Sequence, residues 1–164
     1  MLAIVHTFTL VGVEAVPVEV QVSVDDGYPL TAIVGLPDKA VRESLERIHA
    51  SFHSVGVSTP SRRITVNLAP AELRKEGAAL DLAIALGMLA ALGLIPAAAL
   101  GGRFFAGELA LNGELRPIRG ALAMALAAAR AQRSELVVPA ENEVEAAAVP
   151  GVRVRPLRTL AEAI

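Results

Sequence analysis

The sequence predicts one α+β domain of mixed α/β layers, in which helices pack on a mixed sheet. Three patterns carry that prediction. Val16 to Val24 alternates valine with polar residues at period two, the mark of a strand with one buried face. Ala40 to Ser54 repeats Val41, Leu45, Ile48 and Phe52 at helical spacing, which gives a helix with an apolar stripe. From there strand and helix patterns alternate to the end, the order of a layered sheet-and-helix domain. The 164 residues suffice for one core, and 54% hydrophobic against 20% charged residues excludes a disordered chain.

The elements follow in order. Leu2 to Leu10 and Val16 to Val24 are strands, Asp25-Asp26-Gly27 is a turn, and Leu30 to Val34 is a third strand. Their close spacing predicts an antiparallel meander. Gly35-Leu36-Pro37-Asp38 breaks the strand before the helix over 40–54, which is expected to turn Arg42, Glu43, Glu46 and Arg47 outward. A strand over Ile64 to Leu68 leads to a helix over Ala78 to Leu92, stopped by Gly93 and Pro96. Phe104 to Leu111 and Glu114 to Ile118 flank Asn112-Gly113, the residue pair of a type I′ hairpin. A helix over Ala121 to Ala131, a strand over Glu135 to Val138, a short helix over Glu141 to Ala148 and a strand over Val152 to Val154 complete the alternation. Thr159 and Glu162 form a capping box for a helix that runs to Ile164. A helix cut after one turn implies that the chain is a fragment of a longer protein. The helices are expected on one face of the sheet.

Composition narrows the function classes. A net charge of −2 gives the whole domain no strong electrostatic footprint for nucleic acid. Lys39 and Lys75 are the only lysines, an arginine bias that genome composition explains as readily as function does. The absence of cysteine excludes disulfides, thiolate metal sites and a cysteine nucleophile, and fits a cytoplasmic location. The N-terminus lacks the basic region and cleavage site of a signal peptide. The longest apolar run, Ala78 to Ile95, holds Asp81 and many small residues, so a buried core helix is expected and no membrane contact.

The most informative stretch is Ile64 to Leu86: a strand, a turn at Pro70, the charged corner Arg74-Lys75-Glu76-Gly77, then an apolar helix. Asn67, Pro70, Gly77 and Asp81 are its structural residues, with Asp81 in the first helical turn where the helix dipole favours an anion. No phosphate-binding GxxxxGK[ST] loop is present, so ATP hydrolysis by this chain alone is not expected. His49 and His53, four apart, have the spacing of two metal ligands but no evident third, and a partly exposed helix flank explains them; no metal site is expected. His6 is a lone strand histidine. None of Ser23, Ser44, Ser51, Ser54, Ser58, Ser61 and Ser134 stands in a nucleophile elbow. Glu72, Glu76 and Asp81 are near one another, which a solvated corner and a helix-start carboxylate explain as well as acid–base chemistry. Arg62, Arg63, Arg74 and Lys75 form the one basic cluster legible in the sequence. Four charges make a weak nucleic-acid site unless several copies are ranged around a ring.

Five segments, in order, resemble the N-terminal domain of the magnesium-chelatase-like AAA+ proteins, the ComM/YifB family: MLAIVHTFTLVGVEAVPVEVQV, IVGLPDKAVRESLERIHASF, RRITVNLAPAELRKEGAALDLAIALGMLAA, FAGELALNGELRPIRGAL and LVVPAENEVEAA. The resemblance covers essentially the whole chain. It implies the ribosomal-S5-domain-2-like fold shared with the Lon protease domain, followed by an ATPase module that would hold ATP and Mg²⁺; no cofactor is expected in this chain. Lon-type peptidases pair a Ser after an Asp-Gly-Pro corner with a Lys after a Pro-Ile-Gly-Gly segment. Glu76-Gly77-Ala78 brings Ala79 to the Ser position, and Pro117-Ile118-Arg119-Gly120 brings Leu122 to the Lys position. Neither residue can attack a carbonyl or take a proton, so no dyad is available and the chain itself is expected not to be an enzyme. The resemblance implies an accessory domain of a hexameric, ATP-driven DNA motor that promotes branch migration in recombination and natural transformation. Its partners would be its own ATPase module, neighbouring subunits and single-stranded or branched DNA. Arg74, Lys75 and Glu76, then Arg62 and Arg63, are the expected contact residues. A residual hydrolase and an S5-like RNA-binding module are the alternatives.

Overall fold

The computed structural model describes residues 1–133 and 135–164, so Ser134 lies outside the described residues. The first two strands, β1 (Leu2–Val11) and β2 (Glu14–Asp25), form an antiparallel hairpin in which Val5 faces Val20. The valine alternation of β2 is realised: Val18, Val20, Val22 and Val24 are buried on one face. β3 (Leu30–Val34) does not continue a meander. It pairs in parallel with β4 (Arg63–Ala69), and β4 takes the antiparallel place beside β2. A parallel partner needs a crossover. The helical segment between β3 and β4 provides it.

That segment is two helices, α1 (Lys39–Arg42) and α2 (Ser44–Ser54), meeting at Glu43. Beyond β4, a 3₁₀ turn over Ala78–Leu80 leads into α3 (Asp81–Ala91), whose eleven residues are all buried. A helix buried all round needs small residues to approach the sheet. At Gly87 an added Cβ would lie 2.7 Å from a Val22 methyl.

β5 (Arg103–Phe105) returns to pair in parallel with β1 at His6 and Phe104. The chain then leaves the sheet for a two-stranded ribbon, β6 (Glu108–Leu109) with β7 (Leu115–Arg116). The Asn-Gly pair sits at the ribbon tip, but not in a type I′ turn. Gly113 donates to Ala110 O at 3.0 Å and has φ +87°, Ala110 pairs with Glu114, and Asn112 keeps a negative φ. A three-residue loop closed by one left-handed glycine replaces the two-residue turn. After α4 (Ala121–Arg130), β8 (Glu135–Pro139) and α5 (Glu143–Ala147), β9 (Arg153–Leu157) forms the sheet edge. The seven strands run β3-β4-β2-β1-β5-β8-β9.

The final segment, Leu160–Ala163, is a 3₁₀ helix. Thr159 Oγ1 accepts from the Glu162 amide at 3.3 Å, as a capping residue should. The Glu162 carboxylate accepts from Arg158, not from Thr159, so the reciprocal half of the box is shifted by one residue.

Helices cover both faces of the sheet rather than one. Val5, Val20, Ile64, Phe105 and Val137 pack with α2 and α3 in one core; Phe8, Phe104, Leu136 and Val138 pack with α4 and α5 in another. Alternate residues of one strand therefore serve two cores. Among the described residues no helix is long and apolar enough to cross a membrane.

Candidate functional site

The corner after β4 is folded by hydrogen bonds from two other segments. The Lys75 amide donates to Leu36 O at 3.0 Å, and the Asp38 amide donates to Lys75 O at 2.9 Å. Asp38 Oδ1 caps α1 by accepting from the Val41 amide at 2.8 Å, while Oδ2 accepts from the Gly77 amide at 3.1 Å. The Glu76 amide donates to Thr9 Oγ1 at 3.0 Å. One carboxylate and one hydroxyl thus fasten the corner to the start of α1 and to β1. Asp38 and Thr9 were not singled out by the sequence, whose only relevant signal is an Asp placed to cap a helix.

The charged rim expected at this corner is only partly a rim. Arg74 and Glu76 are exposed and pair with each other at 3.5 Å. Lys75 is fully buried. Its Nζ donates to Gly35 O at 2.7 Å and to Pro70 O, so it clamps the corner from within and cannot serve as a surface contact. Burial lowers the Lys75 pKa, partly offset by the Glu72 carboxylate. Between that lowered value and 10.5 the unfolded chain binds more protons, so Lys75 makes stability rise with pH there. Denaturant midpoints across this alkaline window are expected to show the rise in wild type and to lose it in Lys75→Met.

Arg62 and Arg63 stand at the other end of the strand. Arg62 pairs with Asp26 at 3.3 Å, and Arg63 opens β4 opposite Asp25. Seven strand residues extend roughly 23 Å, so these arginines and Arg74 do not make one patch. Asn67 lies mid-strand, its Nδ2 donating to Gln21 Oε1 at 2.9 Å.

Asp81 is not a solvated helix-start carboxylate. It is fully buried, and it accepts from Ser44 Oγ at 2.5 Å, Arg47 Nε at 2.7 Å, an Arg47 terminal nitrogen at 3.0 Å and the Leu109 amide at 3.0 Å. Arg47, expected outside, therefore turns inward and ties α2 to α3 and β6. Burial raises the Asp81 pKa, opposed by the bonds from Arg47, Ser44 and Leu109; the bond to Asp81 raises that of Arg47. His49 and His53 remain on the flank of α2, and among the described residues no group of three potential ligands forms.

Beside the corner lies a cleft of about 540 Å³. Ala79 lines one side, Pro117-Ile118-Arg119 the other, and Glu76 and Glu108 add carboxylates. The second wall is fixed by Asn142, whose side-chain amide makes a donor–acceptor pair with the Ile118 backbone, each bond 2.9 Å. The two segments singled out in the sequence thus meet across one cavity. Leu122 does not join them: it is exposed, and its amide donates to Glu145 at 3.1 Å. The α4 side chain on the cleft is Met124, two residues further round the helix. A methyl and a thioether therefore occupy positions from which neither proton transfer nor acyl attack can be run.

These segments are those of a known family. The family described as "Subunit ChlI of Mg-chelatase" matches residues 18–142, and the chain belongs to this magnesium-chelatase-like family. Among its relatives, it is 42% identical over 148 residues to "Competence protein ComM" of Haemophilus influenzae, covering 90% of this chain and 29% of the relative. It is 42% identical over 144 residues to YifB of Salmonella typhimurium, covering 88% and 28%, and 40% identical over 151 residues to Rv2897c of Mycobacterium tuberculosis, covering 92% and 30%. The chain spans less than a third of the length of these relatives.

Proposed function

We propose that the chain is a non-catalytic contact domain of a longer magnesium-chelatase-like ATPase acting on DNA in recombination or natural transformation. The observation that carries this reading is the cleft. Its two walls are built and braced, yet Ala79 and Met124 line it from the corner and from α4, beside the carboxylates of Asp38, Glu76 and Glu108. An architecture kept without a hydroxyl–amine dyad at those two positions suits contact rather than acyl transfer. The name of the Haemophilus relative, a competence protein, is in keeping with a role on DNA. ATP and Mg²⁺ belong, in this reading, to a separate module, and the domain contributes contacts between neighbouring copies in a hexameric ring. The test is removal of residues 1–164 from the longer protein. DNA branch migration is expected to fall at least tenfold while nucleotide binding persists; undiminished branch migration would overturn the proposal.

A further inference from the structure

The parallel half of the sheet gathers arginines that are far apart in sequence. Register places Arg103 of β5 beside Glu135 of β8, and Glu135 beside Arg153 of β9. Arg155 follows two residues on, on the same face, and its Nε meets Glu135 Oε1 at 2.5 Å; Arg103 Nε meets the other carboxylate oxygen at 3.3 Å. On the opposite face the Arg133 guanidinium lies 5.2 Å from the Phe104 ring centre. Arg103, Arg153 and Arg155 thus share one face with this carboxylate at the start of three parallel strands, in a chain whose net charge is −2.

The carboxylate explains the geometry. Glu135 is only 5% exposed, and burying an ion in a sheet costs more than an apolar residue would. Its two partners stay open, with side chains 36% and 53% exposed. Each guanidinium lies against the carboxylate at Nε as an ion pair. Arg103 also donates from one terminal nitrogen to Ala99 O at 2.9 Å. A guanidinium fork matches phosphate oxygens. Arg153 is exposed with no ion-pair partner among the described residues, free to add a further contact.

We propose that this surface, formed by Arg103, Arg153 and Arg155 around Glu135, binds the phosphate backbone of nucleic acid. The proposal rests on the DNA reading above and moves the contact away from Arg62, Arg63 and Arg74. The ligand is a polyphosphate chain on the strength of that DNA reading; an acidic peptide, whose carboxylates the same guanidinium forks would fit, is the competing outcome of the test.

The experiment measures binding of the chain to a labelled single-stranded DNA and its duplex across a salt series. Arg153→Gln, which breaks no contact in the fold and puts no like charge beside Glu135, is expected to weaken binding about fivefold at low salt and to flatten the salt slope by about one unit. Arg153→Glu is expected to weaken binding about tenfold, while Arg153→Gln keeps the wild-type unfolding midpoint. Equal affinity of both variants and wild type overturns the proposal. Loss on Arg62→Glu/Arg63→Glu instead overturns the location and leaves the DNA reading standing. Absence of DNA binding at low salt, or retention of polyglutamate in its place, overturns the proposal in favour of an acidic protein partner; the deletion experiment then decides the domain's role separately.

Discussion

Arg47→Met is expected to destabilise the domain by about 3–5 kcal/mol, the range for removing one partner of a buried ion pair. The loss is large because Asp81 has no exposure and would keep only Ser44 and the Leu109 amide as donors. Burial already raises the Asp81 pKa, and loss of Arg47 raises it further. A carboxyl with a raised folded pKa favours the fold below its unfolded value near 3.8 and loses that contribution as pH climbs toward the folded value. The defect should therefore grow between mildly acid and neutral pH. Urea unfolding at two pH values measures it, and Arg47→Met/Asp81→Asn, which removes the stranded charge, should recover more than half of the loss. A defect that neither depends on pH nor recovers in the double variant would mean that lost packing, not an unpaired carboxylate, is responsible.

Gly35→Ala is the second large effect, on the order of 4 kcal/mol, since a strained backbone and a clash with backbone atoms combine. Gly35 has φ +101°, and an added Cβ would lie 2.2 Å from Leu68 O and 3.0 Å from Leu68 N. Those atoms belong to β4, which is paired on both sides and cannot retreat. Any shift of Gly35 also moves the carbonyl that accepts from Lys75. Gly77→Ala is the control: φ is +84° there but nothing lies within 4 Å, so only the positive-φ backbone penalty of about 1–3 kcal/mol applies. Equal denaturation midpoints for the two variants would remove the steric argument.

Local periodicity made most elements legible. The Val18 to Val24 alternation and the uninterrupted apolar run over 82–91 each correspond to one buried surface, and both folded as the sequence implies. Pairing was less legible. The short Asp25–Pro29 connection suggested that β3 would return against β2, but a parallel strand leaves no mark next to its partner; β3 and β4 are separated by the whole α1–α2 crossover. The hairpin tip was located, yet pairing of Ala110 with Glu114 left three residues to turn instead of two. Charged residues misled for a physical reason. Lys75 and Arg47 look exposed in any window, and only carbonyls and a carboxylate supplied from other segments show why they turn inward. The corner and Pro117-Ile118-Arg119 were legible as the cleft walls, while the side chain completing them was misplaced by two residues, Leu122 for Met124. The arginines around Glu135 come from two strands, β5 and β9, about fifty residues apart, so no sequence window contains them.

The central claim is that this domain works by contact, as part of a ring of copies. Sedimentation velocity of the longer protein, with and without residues 1–164 and in the presence of nucleotide, tests it most directly. The account predicts a single assembled ring for the whole protein and a shift toward monomers when the domain is absent. An unchanged ring in its absence would contradict it.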